Sequence, residues 1–211
     1  MRGERSITLI AAALVLTTSS HAQSTLRPEV LAGVSPSGLT TGVLSNWGDG
    51  WTIGGGVAYP ASSAVDLALD ITYSSYSYRG DNLWLVFPAI AGLRWSVSGA
   101  PSNVVEASLA ARLGSSGSII NPFLSLRTGI CRLNTGEIVV STWFDSNPRN
   151  VSRSTYSGSG VQMTKGFASL SFGLAIPLNA NIRVRLEGGL TQTFDLEEGF
   201  IPLLSTVQFD L

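Results

Sequence analysis

The chain has 211 residues, of which 44% are hydrophobic and only 13% are charged, and its formal net charge at pH 7 is −1. Soluble domains usually have about 25% charged residues, and nucleic-acid-binding domains have a strongly basic face. The composition therefore argues against a nucleic-acid-binding protein and indicates a chain with an unusually large apolar surface to shield.

The N-terminal segment, residues 1–22, has the organisation of a cleaved signal peptide. Arg2 and Arg5 form a basic region, residues 7–16 are an apolar run, and small residues precede the predicted cleavage site. A membrane-spanning helix needs about 20 apolar residues, so this run is too short to be one. We therefore expect residues 1–22 to direct export and residues 23–211 to form one domain.

Eight segments of that domain alternate apolar and polar residues with a period of two, as strands with one apolar face do. In chain order they are residues 29–35, 51–59, 64–73, 85–97, 121–131, 168–178, 182–190 and 201–211. Short turns are predicted at 60–63 and 177–181, and longer polar connections at 37–50, 77–83 and 133–166. This arrangement predicts an all-β antiparallel sheet whose short and long connections lie at opposite ends.

A ninth segment, residues 104–113, fits two structures. It alternates like a strand, but it also fits a short helix in which Asn103 and Glu106 form a capping box and Gly114 ends the helix. As a strand it would bring the number to nine. Outer-membrane barrels usually have an even number of strands, and residues 137–144 could supply the tenth. The sequence therefore favours eight strands and leaves ten as the alternative.

The charged residues of the predicted strands lie on the faces opposite the apolar ones. No segment after residue 22 is long and apolar enough for a membrane helix, so alternation must shield the apolar residues, which is typical of an outer-membrane β-barrel. Charges inside a narrow closed barrel must be paired, because an unpaired buried charge is costly. The predicted lumen charge network consists of Glu29, Asp66, Asp70, Arg94, Arg127, Arg183, Arg185, Glu187 and Asp210.

Aromatic residues recur at a spacing that matches the two edges of a membrane. Trp51 and Tyr59 are eight residues apart, as are Phe87 and Trp95. Eight residues span about 26 Å along a strand, or roughly 20 Å along the axis of a tilted barrel. The four residues are predicted to form aromatic girdles. The same alternation would also occur in a soluble protein whose apolar faces meet in a core.

The end of the chain and two internal segments carry a family resemblance. Val207, Phe209 and Leu211 alternate up to the last residue, and residues 51–79 and 121–133 contain WTIGGGVAYP, AVDLALDITYSSY and NPFLSLRTGICRL. In these features the chain resembles the small outer-membrane β-barrel proteins of the OmpA transmembrane-domain, OmpX and OmpW type. The resemblance implies a transmembrane barrel in contact with outer-membrane lipid and lipopolysaccharide. It also implies that the barrel-assembly machinery reads the last strand, although Leu211 stands where the family usually has Phe.

The residues required for common catalytic chemistry are missing from the predicted mature chain. The only histidine, His21, lies in the signal peptide, so histidine-dependent nucleophilic catalysis and histidine-ligated zinc are not expected. Asp66 and Asp70 are about 13 Å apart along one strand, too far for a paired acid and base. We therefore predict a protein that is not an enzyme and has no catalytic residues, metal site or cofactor. The acidic residues of segment 195–198, which are Asp195, Glu197 and Glu198, could form a weak cation or lipopolysaccharide-bridging site, with a solvated loop as the alternative.

These features favour a structural or surface-interaction role in the outer membrane, with loops 37–50 and 133–166 presented to the outside of a closed barrel. Two alternatives remain at this stage. One, implied by the resemblance to OmpW, is a narrow conduit for small hydrophobic molecules. The other is a soluble periplasmic β-barrel carrier.

Overall fold

The structure is a computed structural model. It describes residues 26–36, 47–79, 93–114, 119–144 and 153–210. The predicted signal peptide, Phe87 and Leu211 lie outside the described residues.

Strands dominate the described part of the chain. They are β1 (Arg27–Ser35), β2 (Trp47–Pro60), β3 (Val65–Tyr78), β4 (Leu93–Gly99), β5 (Ser102–Gly114), β6 (Asn121–Asn134), β7 (Ile138–Phe144), β8 (Arg153–Gly158), β9 (Gln162–Pro177), β10 (Ile182–Thr193), β11 (Gly199–Phe200) and β12 (Leu203–Phe209). Among these residues there is no helix with the length and apolar character that a membrane-spanning helix requires.

Eight strands form a closed antiparallel barrel. Their order is β10-β12-β1-β2-β3-β5-β6-β9, and β9 pairs with β10 to close the ring. Each of these strands therefore has a hydrogen-bonded neighbour on both sides, and the barrel has no open edge. The predicted fold class, an all-β barrel of eight antiparallel strands, is confirmed.

The fourth strand of the barrel is not the predicted one. The prediction placed residues 85–97 there, but β4 pairs with β7, and β5 occupies the place between β3 and β6. The strand interpretation of residues 104–113 is therefore correct and the helix interpretation is wrong. The spacing of Val105, Leu109 and Leu113 fits both the period of a strand and that of a helix. The segment forms a strand because it pairs with β3 on one side and with β6 on the other.

A second, three-stranded sheet lies outside the ring of eight barrel strands. It has the order β4-β7-β8, and its strands lie next in sequence to β5, β6 and β9. Pro101, which has no N–H group, separates β4 from β5. Across this break, the Ala100 N–H donates to the Glu137 carbonyl at 2.9 Å. Because β4 and β7 pair with each other outside the barrel, the ten-stranded alternative is wrong.

The two ends of the barrel differ. At one end, which we call the terminal end, β1 begins and β12 ends, with Glu29 opposite Gln208. The ends of β2 and β3, of β5 and β6, and of β9 and β10 that are consecutive in the chain also lie there, and the Ala61 N–H donates to the Val65 carbonyl at 2.9 Å between β2 and β3. We call the other end, where β1 ends, β2 begins and the three-stranded sheet lies, the loop end.

The barrel wall is apolar outside and polar inside. Leu109 and Ile130 point outward and are 59% and 60% exposed, whereas Glu29 and Arg112 point inward and are each 3% exposed. The other large apolar residues exposed on the barrel strands include Val30, Val34, Trp51, Ile53, Val57, Leu69, Ile71, Tyr73, Val105, Leu113, Leu126, Leu170, Phe172, Leu174, Leu186, Leu190 and Leu203. This distribution is the reverse of that in a soluble protein.

Candidate functional site

The centre of the barrel interior is Glu29, which two arginines from other strands contact. Arg112 Nη1 on β5 donates to Glu29 Oε1 at 2.8 Å and to Oε2 at 2.7 Å. Arg185 Nη1 on β10 also pairs with Glu29. Hydrogen bonds between ionised groups are among the strongest in proteins. Glu29 therefore joins β1 to two strands that are not its neighbours.

Further carboxylates and one more arginine extend this contact in both directions. Arg185 Nη2 donates to Asp66 at 2.5 Å, and Arg112 Nη2 donates to Asp70 at 3.3 Å. Arg127 lies 3.6 Å from Asp70 and 2.8 Å from Glu187. We call the resulting chain of alternating charges the lumen ion cluster. In order, it consists of Asp66, Arg185, Glu29, Arg112, Asp70, Arg127 and Glu187.

The lumen ion cluster is nearly neutral and almost completely buried. Three arginines face four carboxylates, which gives a net charge of −1, and every side chain except Asp66 is at most 6% exposed. Removing one partner from such a cluster leaves a buried charge without compensation, which is strongly destabilising. The cluster therefore connects β1, β3, β5, β6 and β10 with one another inside the barrel.

Small residues provide the room for these long side chains. A Cβ atom at Gly56 would overlap the carboxylate of Asp70, which is its register partner on β3. Ala58, Ala68 and Ala110 form a row of buried methyl groups on three adjacent strands. Bulkier residues at these four inward positions would compete with the arginines for the same volume.

Arg27 connects the first and the last strand of the barrel, β1 and β12, at the terminal end. Its Nε lies 2.6 Å from Asp210 Oδ1, and its Nη1 lies 3.9 Å from Asp66. Both Arg27 and Asp210 are partly exposed. This ion pair joins the beginning of β1 to the residue that follows β12.

Hydroxyl groups fill the middle of the interior. Thr52 and Ser74 are hydrogen-bonded at 2.8 Å, and Thr191 donates to Ser169 at 3.0 Å. Thr72 donates to Glu106 Oε2 at 3.2 Å. This layer separates the charged half of the interior from an apolar half.

Aromatic and aliphatic side chains close the interior near the loop end. The buried members of this apolar plug are Trp47, Tyr76, Val104, Cys131, Leu133 and Phe167. Tyr78, Ile138 and Met163 pack against it, and the rings of Trp47 and Tyr78 meet edge to face with centroids 6.0 Å apart. Trp47 Nε1 donates to the Ala100 carbonyl at 3.2 Å, which anchors the plug to the break before β5.

At the loop end, Asp195, Glu197 and Glu198 surround a lysine. Lys165 Nζ lies 2.9 Å from Asp195, 2.8 Å from Glu197 and 3.6 Å from Glu198. The Thr193 hydroxyl donates to Asp195 at 2.6 Å, and this hydrogen bond, with that from Lys165, lowers the pKa of Asp195 to about 2. The ammonium group occupies the position that a cation would take. Within the described residues, no group of three or more His, Cys, Asp or Glu side chains could hold a metal ion.

Comparison with known proteins finds solved structures of low sequence identity and no related sequence. No protein-family model and no curated protein matches the chain. Three of the solved structures that are similar to it have identities of 17% or less and TM-scores below 0.5. They are the N-terminal β-barrel domain of Pseudomonas aeruginosa OprF (17% identity, TM-score 0.43, 88% of this chain and 97% of that one), Neisserial surface protein A (12%, 0.46, 88% and 96%), and Ail, the attachment invasion locus protein of Yersinia pestis (7%, 0.45, 89% and 99%).

The resemblance to small outer-membrane β-barrel proteins that the sequence indicated is confirmed for the fold. This conclusion rests on the chain itself, which forms a closed eight-stranded antiparallel barrel.

The structure brings together most of the residues predicted to line the lumen. Six of the nine belong to the lumen ion cluster, and Asp210 lies at its rim with Arg27. Arg183 is half-buried at the terminal end, opposite Gln208. Arg94 does not belong to this set, because it lies on β4, outside the barrel, and is exposed. It was misplaced because residues 85–97 were assigned to the barrel.

Sequence reasoning missed three charged residues of the interior. Arg112 and Glu106 lie in the segment whose structure was left open, and Arg27 precedes the predicted start of the first strand. Their inward position follows from β5 being a barrel strand and from β1 starting at Arg27. The apolar plug was also missed, because lumen faces were expected to be polar. The continuation of the inward face of β3 to Tyr76 and Tyr78 was the signal for it.

The predicted girdle and assembly residues lie in different places. Trp51 is exposed on the outer wall and lies 5.6 Å from the ring of Tyr73, while Tyr59 is half-buried near the other end of β2. Trp95 lies on β4 rather than on the barrel wall, so its assignment to the girdle is corrected. Val207 and Phe209 alternate on β12. Phe87 and Leu211 lie outside the described residues.

Proposed function

We propose that this protein is an integral β-barrel of the outer membrane with a structural and surface-interaction role, and that it is not an enzyme. The observation that supports it is the inverted wall, apolar outside and ion-paired inside. In this proposal the barrel-assembly machinery inserts the chain, and outer-membrane lipid and lipopolysaccharide surround it.

A lipid environment accounts for the outer wall. Monomeric soluble proteins rarely expose large contiguous apolar patches, because such surfaces associate in water. In a bilayer the same surface is solvated by acyl chains, and a closed barrel leaves no backbone group of its wall without a partner. A soluble carrier requires the opposite distribution, with its apolar faces turned to an inner cavity.

The filled interior argues for a scaffold and against a conduit. Eight strands leave an interior just wide enough for side chains, and here the lumen ion cluster and the apolar plug lie one above the other. A small hydrophobic molecule that passed through would have to displace buried ion pairs, whose separation is costly. We therefore assign the function to what the barrel holds outside the membrane.

The loop end is the part that faces the surroundings in this proposal. Small outer-membrane barrels place short turns in the periplasm and longer connections outside the cell. On that basis the three-stranded sheet β4-β7-β8 lies outside, on a rigid base. Binding functions are usually carried by segments that a rigid scaffold presents in this way.

Electrophoretic mobility tests the proposal directly. The protein is extracted from the outer-membrane fraction in detergent and run with and without boiling, and the same preparation is added to planar bilayers. We expect a shift in mobility on boiling and no steady conductance. Identical mobility in both lanes, or a monomer that stays in detergent-free buffer, would contradict a membrane barrel, and a steady conductance would contradict the scaffold role.

A further inference from the structure

One arginine at the terminal end takes no part in the ion pairs found there. Arg183 is the second residue of β10 and is half-buried. The carboxylates at this end of the barrel are held by other arginines. Asp66 pairs with Arg185, and Asp210 pairs with Arg27. The Nε atom of Arg183 is buried and has no hydrogen-bond partner. Within the part of the chain that the structure describes, its guanidinium group therefore has no carboxylate partner.

A buried amide lies beside this arginine. Gln208 on β12 is the register partner of Arg183, and its side chain is 0% exposed. Neither its amide nitrogen nor its amide oxygen has a hydrogen-bond partner among the described residues. On its other side lies Glu29, whose carboxylate is held by Arg112 and Arg185. Buried polar groups are costly unless they are hydrogen-bonded, so an unpaired amide at this position points to a missing partner.

The strand on the other side of Arg183 offers no side-chain partner. Pro177 on β9 is the register partner of Arg183, and Ala175, which is buried, is that of Arg185. The side chains of proline and alanine neither donate nor accept hydrogen bonds. Residues directly opposite each other in antiparallel strands have Cβ atoms about 5 Å apart. Arg183 and Gln208 are thus close enough for one small molecule to contact both.

The chemistry of these two groups defines the ligand. A guanidinium group donates two parallel hydrogen bonds to the oxygens of a carboxylate or phosphate. The amide of Gln208 offers both a donor and an acceptor. A carboxylate with an amide N–H one carbon away satisfies the guanidinium group, the amide donor and the amide acceptor together. That combination is the free C-terminus of a peptide. A phosphate would supply oxygens but no N–H for the amide oxygen.

We propose that Arg183 and Gln208 form a binding site for the free C-terminus of a peptide at the terminal end of the barrel. The guanidinium group and the amide nitrogen donate to the carboxylate, and the amide oxygen accepts from the last peptide N–H. The carboxylate enters first, because Arg183 is half-buried whereas Gln208 is completely buried. The site itself goes beyond the proposed function. Only the source of the peptide, the periplasm, rests on the proposed orientation in the membrane.

Binding of N-acetyl-alanyl-alanine tests the inference. The protein is folded into phosphatidylcholine nanodiscs, and binding is followed by ligand-observed NMR. The same dipeptide with an amidated C-terminus is the uncharged control. We expect the amidated form to bind at least about tenfold more weakly, since hydrogen bonds to charged groups are the stronger ones. Arg183→Gln should weaken binding of the carboxylate form by a similar factor. Arg132→Gln removes an exposed arginine from β6 and should bind like the unaltered protein.

A second variant, Gln208→Leu, separates a binding role from a structural one. Replacing an unpaired buried amide with an apolar side chain of similar size removes a desolvation cost. Without ligand, the Leu variant should therefore unfold at the same urea concentration as the unaltered protein or at a higher one. Its affinity for the dipeptide should fall by about threefold to tenfold. Lower stability together with unchanged affinity would show that the amide serves the fold, and would overturn the site.

The other outcomes are equally decisive. If the unaltered protein does not bind the dipeptide, or if Arg183→Gln binds it just as tightly, the site is wrong. Binding of inorganic phosphate as tight as that of the dipeptide would overturn the peptide C-terminus as the ligand. Heat-dependent mobility is recorded for every protein. Loss of the mobility shift in the unaltered protein would contradict the proposed function, whereas a shift without dipeptide binding would contradict this inference alone.

Discussion

Arg112 and Glu29 are paired at 2.7 Å across the barrel, although 83 residues separate them in sequence and two strands, β2 and β3, lie between theirs in the wall. The same arginine also reaches Asp70 at 3.3 Å. A single side chain thus connects β1, β3 and β5 within the interior. This relationship makes the charged core of the barrel a structural element that can be tested apart from any ligand.

Loss of Arg112 is expected to destabilise the barrel severely. In Arg112→Gln the lumen ion cluster keeps two arginines and four carboxylates, so its net charge changes from −1 to −2 in a buried place. Removing one partner of a buried ion pair lowers the free energy of unfolding by roughly 3–5 kcal/mol. Urea unfolding in lipid vesicles, followed by tryptophan fluorescence, measures this loss. Arg132→Gln, on an exposed arginine of β6, should stay within about 0.5 kcal/mol of the unaltered protein. Equal stability of the two variants would contradict the bracing role.

Two adjacent glycines of β2 should respond differently to the same substitution. Gly56 faces inward, and a methyl group there would overlap the carboxylate of Asp70, whereas a Cβ at Gly55 meets only the Glu29 carbonyl oxygen at 3.4 Å. We expect Gly56→Ala to lower the free energy of unfolding by about 1–3 kcal/mol through overpacking. Gly55→Ala is the matched control and should change it little. The same unfolding measurement applies, and a larger effect at Gly55 would show that the two faces are assigned the wrong way round.

A charged substitution on the outer wall shows whether that wall is in contact with lipid or with water. Leu109 is 59% exposed on β5. In a bilayer, Leu109→Lys should reduce the stability of the folded barrel by up to about 2–4 kcal/mol, according to its depth. In a soluble protein the same change would be neutral or would improve solubility. Leu109→Met serves as the apolar control. A Lys variant as stable in vesicles as the Met variant would argue that this wall does not face lipid.

The hairpin that follows β10 should show an acidic titration. The Thr193 hydroxyl and then Lys165 lower the pKa of Asp195 from its ordinary 3.8 to about 2. A carboxyl whose pKa is lowered in the folded state contributes stability above pH 3.8, and this contribution is lost as the pH falls towards 2. Carbon-13 NMR of the side-chain carboxyl measures the midpoint. Thr193→Val should move the midpoint upwards, towards 3.8, and an unchanged midpoint would mean that the hydroxyl is not the main cause.

Part of the architecture is already determined by the sequence. Side chains alternate between the faces of a strand, so the positions of Leu69 and Ile71 on one face and of Asp66 and Asp70 on the other follow from order along the chain alone. The same rule placed Trp51 on the outer wall. The number of strands did not follow from this rule alone, because nine segments alternate and eight strands form the barrel.

Only the tertiary structure decided which segments pair and which charges meet. Residues 85–97 and 104–113 alternate equally well, and the competition between them was settled by β5 pairing with β3 and β6 along its length. Arg112 meets Glu29 because closure of the ring turns β1 and β5, which are not neighbours, towards one narrow interior. Local periodicity specifies which face of a strand is apolar, but register and closure depend on contacts between residues far apart in sequence, and these appear only when the ring of strands is complete.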